Sequence, residues 1–292
     1  MMKRNPASYL FDVVNGLILL VFAIVTVTPF VYVFMGSFTA SEELLARGFV
    51  LIPHKFSLDG YRYIFSTNTI LNSVGVTIFI TVAGTLINLF FTALTAYPIS
   101  RKDFLGRKPI MLMVIFTMLF SGGMIPSFIV VKWLGLLNSY GSLLIPGAIS
   151  AFNLIVLKNF FQQLPEGLEE AAKIDGCSDL QVLVRVVLPL SLPAMATFAL
   201  FYAVGHWNTF FNAILYINDT NKWPIQVWLR QIVIMAQGGV GDARELGSDF
   251  VAPPAEVVKM AVIVVSTVPI LLVYPFLQKH FAKGVLLGSV KG

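Results

Sequence analysis

A single cysteine, Cys177, stands among 292 residues. An internal disulfide and a Cys-rich metal site are therefore excluded, and no redox chemistry is indicated. Reactivity of that thiol would need a pKa-lowering setting that the local sequence does not supply, so Cys177 reads as a small helix-associated residue. Charge is scarce as well: Asp, Glu, Lys and Arg make up 12% of the chain, about half of what a soluble domain carries. No G-x-x-x-x-G-K-[ST] run occurs, so this chain does not cradle nucleotide phosphates in a P-loop of its own. Its longest apolar runs lack the Asp, Glu or Lys relay that ion-driven membrane pumps use. They also lack paired catalytic groups, since His206 has no carboxylate in its own run. An intramembrane transferase or protease is thereby disfavoured, and neither a catalytic residue nor a metal ligand is expected.

What the chain has in excess is oil. Hydrophobic residues make up 57% of it and its mean hydropathy is +0.82, which places it in a bilayer. The length alone would suggest about two soluble domains. Apolar segments instead recur from end to end, so residues 1–292 read as one transmembrane domain. A spanning helix needs about 20 mostly apolar residues, and six segments qualify, near 13–36, 71–97, 110–132, 140–160, 189–216 and 258–279. The fold class expected is an all-α membrane protein with six transmembrane helices.

The first segment follows Lys3 and Arg4 as a signal peptide would. Its apolar run is much longer than the 7–15 residues of an h-region, so it reads as a retained helix. Orientation follows from the short loops, where Arg101, Lys102, Arg107 and Lys108 crowd into residues 100–109. Three cations are spread over 37–69, and the dense side faces the cytoplasm. With six spans both termini then lie inside, together with Lys279, Lys283 and Lys291. The net charge of +5 thus points to anionic lipid headgroups and not to nucleic acid. Outer loops near 37–70 and 217–257 contain Trp223, Trp228, Asp242, Arg244, Glu245 and Pro253-Pro254. The tryptophans read either as a partner-docking surface or as interfacial anchors.

Against this scarcity of charge, Glu166, Glu169, Glu170, Asp175 and Asp179 lie together in one run between the fourth and fifth spans. Acidic residues contribute little to topology, so orientation does not account for them. Pro165 opens a helix, the glutamates sit in early turns where the dipole favours anions, and Gly176 supplies a left-handed stop. Ser178 and Gln181 then have capping-box spacing, which predicts a second helix over about 179–188 that runs up to Pro189 and Pro193. Ala171 and Ala172 leave little side chain between the first helix and anything approaching it. The competing reading is a solvated helix–turn–helix loop stabilised by Glu169 and Lys173 at i and i+4.

The pattern Glu170-Ala171-Ala172, Gly176, then Val186-x-Leu188-Pro189 resembles the EAA loop of permease subunits in bacterial ABC importers. The family usually has isoleucine where this chain has Val186. GGMIPSFIVVKWLGLLNSYGSLLIP at 122–146 and the ending KGVLLGSVKG at 283–292 resemble the oligosaccharide-uptake branch, the maltose-type second permease and its polysaccharide-utilisation relatives. The resemblance implies that the loop 164–188 is a cytoplasmic coupling element, with Glu169, Glu170, Ala171, Ala172, Asp175 and Gly176 meeting an ATPase. It implies that the tail 280–292 reaches the ATPase dimer through Gly288, Ser289, Val290, Lys291 and Gly292. The implied partners are a homologous second permease, two cytoplasmic ATPases that bind ATP and Mg, and an extracytoplasmic solute-binding protein. No cofactor is expected in this chain itself, and its place is the bacterial inner membrane. An oligosaccharide is the implied substrate. The same loop serves importers of amino acids, polyamines or phosphonates, and it does not separate these.

Polar groups inside apolar spans must face protein or water, and so mark a candidate pathway. Tyr202, Trp207, Asn208 and Asn212 cluster in the fifth span, while Asn88 and Asn153 stand alone in the second and fourth. Aromatic rings over sugar faces with amides bonding hydroxyls would suit a carbohydrate. Asn88 and Asn153 read equally as hydrogen bonds between helices, and His206 reads as a neutral packing residue. Gly122, Gly123, Pro126 and Pro146-Gly147 read as hinges or as close-packing sites.

Overall fold

The computed structural model describes residues 6–66, 68–236 and 255–289. Asp242, Arg244, Glu245, Pro253-Pro254, Val290, Lys291 and Gly292 lie outside the described residues. In chain order the helices are α1 Pro6–Gly36, α2 Ser41–Arg47, α3 Asp59–Ser66, α4 Asn68–Ser100, α5 Arg107–Leu119, α6 Met124–Trp133, α7 Gly141–Leu144 and α8 Ala151–Phe161. They continue as α9 Glu166–Ile174, α10 Asp179–Val182, a π-turn at Leu183–Val187, α11 Leu188–Leu190, α12 Leu192–Trp207, α13 Phe211–Tyr216, α14 Ile225–Ala236 and α15 Ala255–Ser289. Among the described residues the only β-type pairing is an isolated antiparallel bridge between Thr39 and Phe56.

Among the described residues, two stretches are long and apolar enough to cross a membrane unbroken: Tyr9–Gly36, at 28 residues, and Asn68–Ser100, at 33. The apolar window of the first is entirely exposed within this chain. A helix that is hydrophobic all round is at home in lipid or against another chain, and α1 has that character.

The stretches 110–132, 140–160 and 189–216, expected as continuous helices, are interrupted. The first is α5 and α6, separated at Phe120, whose backbone is extended, and Gly123, whose φ is +84°. A Cβ at Gly122 would meet nothing within 4 Å. The Gly-Gly pair therefore breaks the helix and packs closely against no other part of this chain; only glycine takes a positive φ of this kind freely. Pro126 restarts α6 in its first turn, where no backbone donor is lost. The second stretch is α7 and α8, with Pro146-Gly147 between them. The third breaks at Asn208, which caps α12. The last expected span, 258–279, continues as helix to Ser289, so Gly288 and Ser289 belong to α15 and not to a separate tail. Pro269 and Pro275 lie inside that helix.

Residues divide into two compact units, 1–70 with 229–267 and 71–228 with 268–292. In the first, Leu44, Val50, Val257 and Met260 form a small core under Tyr32 and Val33. Glu43 organises the loop beside it, accepting hydrogen bonds from the backbone of His54 and Lys55 and pairing with Arg47. The Lys55 amide above all holds the Glu43 carboxyl below the usual carboxylate range.

The second unit carries the larger core, built from Ala93, Ala96 and Ile99 of α4, Leu154, Leu157 and Phe161 of α8, Val182, Leu183 and Val187, and Phe198 and Tyr202 of α12. Trp223 and Trp228 belong to this unit and not to an exposed belt. They are buried, in edge contact at 5.6 Å, and the Trp223 indole donates to the carbonyl of Ile217. Buried against each other, the two rings leave little surface for either partner docking or lipid anchoring.

Candidate functional site

The acidic run folds as two helices around a glycine bend. Pro165 sits at the N-cap of α9 and Leu168 begins its hydrogen bonding by donating to the Pro165 carbonyl. The far end is a Schellman stop: Gly176, at φ +82°, donates to the carbonyl of Lys173, and Cys177 donates to that of Ala172. This motif usually brings an apolar contact between its outer residue and the last turn, and here Cys177 and Ala172 both pack on the core. Ser178 then forms the capping box with Gln181, whose side chain accepts from the Ser178 amide at 2.8 Å.

Beyond Val182 the chain does not continue as an ordinary α-helix. Pro189 has no N–H to offer and its ring crowds the carbonyl four residues back, which is how proline distorts a helix. The turn before it widens, and the Leu188 amide reaches the carbonyl of Leu183. A π-turn of this kind is frequent at functional positions. Residues Asp179–Leu190 and Leu192–Trp207 then meet at 85°. Because Val182, Leu183 and Val187 are buried in the same core as α4 and α8, the second helix is part of the packed body and not a loose loop.

Charge fixes the first helix. Glu169 is 7% exposed, and it pairs with Arg101, just past the end of α4. The Tyr97 hydroxyl donates to its other oxygen at 3.5 Å. The Arg101 guanidinium lies over the Tyr97 ring at 4.7 Å, a cation–π geometry. Burial pushes the Glu169 carboxyl up from its ordinary range, against the opposing pull of Arg101 and Lys173. The Glu169–Lys173 pair of the competing solvated-loop reading does not form: α9 turns Glu169 inward, while Lys173 crosses the bend to Asp179 at 2.9 Å. That hydrogen bond holds the Lys173 ammonium above its usual range. Both side chains there are largely exposed, so the bridge adds little to stability.

The other residues of the run divide by face. Glu170, Ala171, Asp175 and Gly176 are exposed, as is Ile174 at 86%, while Ala172 is half-buried. An outward surface of two carboxylates, one methyl and one large apolar side chain therefore stands on a helix anchored from behind. Between it and the end of α4 lies a cleft of about 550 Å³ whose lining includes Tyr97, Arg101, Asp103, Lys173 and Asp179. Sequence reasoning takes Arg101 only as an orientation signal and passes over Tyr97; nothing local in either stretch marks them as neighbours of Glu169.

The pathway candidates separate as well. Asn88, Asn153, Tyr202 and Trp207 are buried, and Asn208 and Asn212 are exposed. Asn88 donates to the Gly147 carbonyl at 2.6 Å and its amide oxygen faces His206 Nε2 at 2.5 Å. Tyr202 meets Thr92 at 2.8 Å and receives the Ser150 amide at 3.3 Å. Both therefore serve the break between α7 and α8, where carbonyls and amides freed by Pro146-Gly147 need partners away from water. Asn153 lies in the first turn of α8, its amide donating to the Ser150 cap. Asn208 folds back onto the Val204 carbonyl of its own helix.

A polar seam of which the sequence marked only Asn88 runs along α4: Ser73, Thr77, Asn88 and Thr92 are all buried. Thr77 accepts the amide of Ile225 at 2.8 Å. The near-fourfold spacing of these residues on a helix puts them on one face.

Residues 99–287 match the family model described as binding-protein-dependent transport system inner membrane component. The chain is 60% identical to the polygalacturonan/rhamnogalacturonan transport system permease protein YtcP of Bacillus subtilis (strain 168), covering 97% of this chain and 99% of that one. It is 26% identical to the arabinooligosaccharides transport system permease protein AraQ of Halalkalibacterium halodurans, over 92% and 93% of the two chains. Among solved structures it is similar to a chain of a bacterial ABC transporter involved in the import of the acidic polysaccharide alginate, with a TM-score of 0.87, 33% identity, and coverage of 96% of this chain and 100% of that one. The helical architecture, the glycine-bent acidic helix pair and these similarities agree, and the chain belongs to the family of inner membrane components of binding-protein-dependent transport systems, as a permease subunit that performs no covalent chemistry of its own.

Proposed function

We propose that this chain forms half of the translocation path for an oligosaccharide rich in uronic acid, and that α9 receives the motion of a separate ATPase. The single observation that carries the coupling role is the anchored helix: Glu169 is tied inward to Arg101 while Glu170, Ala171 and Ile174 stand outward. A helix held from behind transmits a displacement, whereas a solvated loop absorbs it. The substrate class is supported by two similar proteins, one named for polygalacturonan and rhamnogalacturonan, the other described as an importer of the acidic polysaccharide alginate.

On this reading six spans cross the bilayer, both termini and the acidic run lie in the cytoplasm, and three of the spans are broken helices. A homologous second permease completes the path, two ATPase subunits bind ATP and Mg, and an extracytoplasmic binding protein delivers the sugar. Glu170, Ala171, Asp175 and Gly176 meet the ATPase, with Glu169 and Ala172 holding the helix in place. Residues 288–292 add contacts to it. Asn208 and Asn212 are the pathway residues best placed to meet substrate, since both are exposed. Asn88, Asn153 and Tyr202 shape the path by holding the α7–α8 break.

The test is ATP hydrolysis and uptake by the reconstituted importer with its binding protein, across neutral and uronate oligosaccharides and a polyamine. Stimulation by uronate oligosaccharides supports the substrate; stimulation by the polyamine alone overturns it. Glu170→Lys lies on an exposed face, so it should leave the fold of this chain intact and lower stimulated hydrolysis more than tenfold, the scale of a charge set against a docked partner. Unchanged stimulation in that variant overturns the coupling role.

A further inference from the structure

Beside the acidic run, a second cleft of about 790 Å³ opens between the loop 102–105, the start of α5 and α8. Every titratable group in its lining is a cation: Lys102, Arg107, Lys108 and Lys158. Among the described residues neither Arg107, Lys108 nor Lys158 forms an ion pair. Lys158 is 8% exposed, and the hydrogen bond it makes is with the side-chain oxygen of Asn159 at 3.2 Å. A buried ammonium without a counter-charge is costly. Arg107 and Lys108 aggravate the cost, because they occupy the first turn of α5, which contains no acid, and a helix N-terminus is itself positive. A sequence with so few charges has placed three where each raises the local potential.

The rest of the lining changes character along one direction. Lys108, Leu112 and Ile115 follow one another at helical spacing on α5, so the groove runs from cations to oil. Leu112 and Ile115 are exposed, and Leu105 at the charged end is 99% exposed. An anionic head joined to acyl chains has this same division of charge and apolar length. Basic pockets between helices at a membrane border bind such headgroups.

We propose that this cleft is a specific site for an anionic phospholipid, its phosphodiester held by Arg107, Lys108 and Lys158 and its acyl chains lying along Leu112 and Ile115. The site rests on the chain lying in a bilayer and is independent of which solute the importer carries. The lipid supplies a counter-charge to Arg107, Lys108 and Lys158, and it ties α5 to α8 at the border of the membrane.

The experiment is native mass spectrometry of the whole importer released from nanodiscs of equal phosphatidylglycerol and phosphatidylcholine. Wild type should retain phosphatidylglycerol in preference to phosphatidylcholine. Each of Arg107→Gln, Lys108→Gln and Lys158→Gln should lower that retention about fivefold, the effect of one surface cation on an anionic lipid. Lys158→Arg should restore it, and Lys132→Gln, which removes a charge outside the cleft, should leave it unchanged. Because Lys158→Gln alters a buried position, the double variant Arg107→Gln/Lys108→Gln provides the same reading from less buried ones. Equal retention of phosphatidylglycerol in wild type and double variant overturns the site while leaving membrane residence intact. Loss of both lipids from every form would show that no lipid is held specifically and would overturn the site as well. Displacement by millimolar inorganic phosphate, or protection of the cations by a bound ATPase subunit in the absence of lipid, would also overturn it.

Discussion

Arg101 and Glu169 form an ion pair between the end of α4 and the first turns of α9, under the aromatic ring of Tyr97. Breaking one side of a largely buried pair strands the other charge, which costs about 3–5 kcal/mol, whereas replacing both with apolar groups is often close to neutral. Arg101→Met leaves the more deeply buried carboxylate unpaired and should therefore lower the unfolding temperature of the assembled importer sharply, Glu169→Met should lower it less because burial already disfavours that charge, and the double variant should recover most of the Arg101→Met loss. The double variant should still transport poorly, because α9 loses its anchor. Thermal unfolding followed by tryptophan fluorescence, with uptake in proteoliposomes, checks both parts. Additive losses in stability would show that the pair is not coupled.

The same carboxyl sets a pH dependence. Its ordinary value is 4.5 and burial raises it in the fold. A carboxyl with a raised folded value adds stability that is fully present below the unfolded value and is lost as pH rises through the folded one. Relative to Glu169→Gln, wild type should then gain stability on acidification from neutral pH towards 4.5. Unfolding temperatures of the two forms at several pH values measure the difference. A gap that shrinks on acidification would mean that Arg101 dominates and the carboxyl lies below its ordinary range.

The imidazole of His206 occupies the space where a Cβ at Gly84 would fall. Gly84→Ala must push the ring away and break its contact with Asn88, which itself holds Gly147. Overpacking of this kind costs about 1–3 kcal/mol. Gly75, on the same helix, has nothing within 4 Å of its missing Cβ, so Gly75→Ala should be neutral or slightly stabilising through helix propensity. Differential scanning calorimetry of the two variants checks the contrast. Equal effects would mean that His206 moves aside freely.

Local signals were legible because their physics is local. Ser178 with Gln181, Gly176 as a left-handed stop and Pro165 at a helix start all appear where residue spacing puts them. Apolar length found α1 and α4 for the same reason. The breaks at Gly123 and Pro146-Gly147 were ambiguous, since a glycine that bends and a glycine that packs are written alike; backbone geometry separates them. Interactions across the chain left no local trace. Tyr97 and Glu169 meet across 72 residues, and His206 and Asn88 across 118. The tryptophans show the same limit, since both surface readings, partner docking and lipid anchoring, give way to one specific pair of buried rings.

Pro189 explains both the π-turn and the bend after it, and its replacement makes the sharpest test of transmission. Pro189→Ala restores an N–H that can bond the carbonyl of Arg185, favouring ordinary α-geometry over the bond from Leu188 to Leu183. Removing one extra residue from a turn rotates the helix on its N-terminal side by about 100° relative to the helix on its C-terminal side. Val182 and Leu183 now face the core, and such a rotation would bring exposed Leu180 and Val184 towards it instead. The swap keeps apolar residues inside, so stability should fall by no more than about 1.5 kcal/mol. Register should not survive: α9 and α12 would no longer move together, and uptake per ATP hydrolysed should drop at least about tenfold while hydrolysis continues. Side-by-side measurement of uptake and phosphate release in proteoliposomes gives that ratio. An unchanged ratio would mean that the π-turn is a passive consequence of proline and that motion reaches α12 by another route.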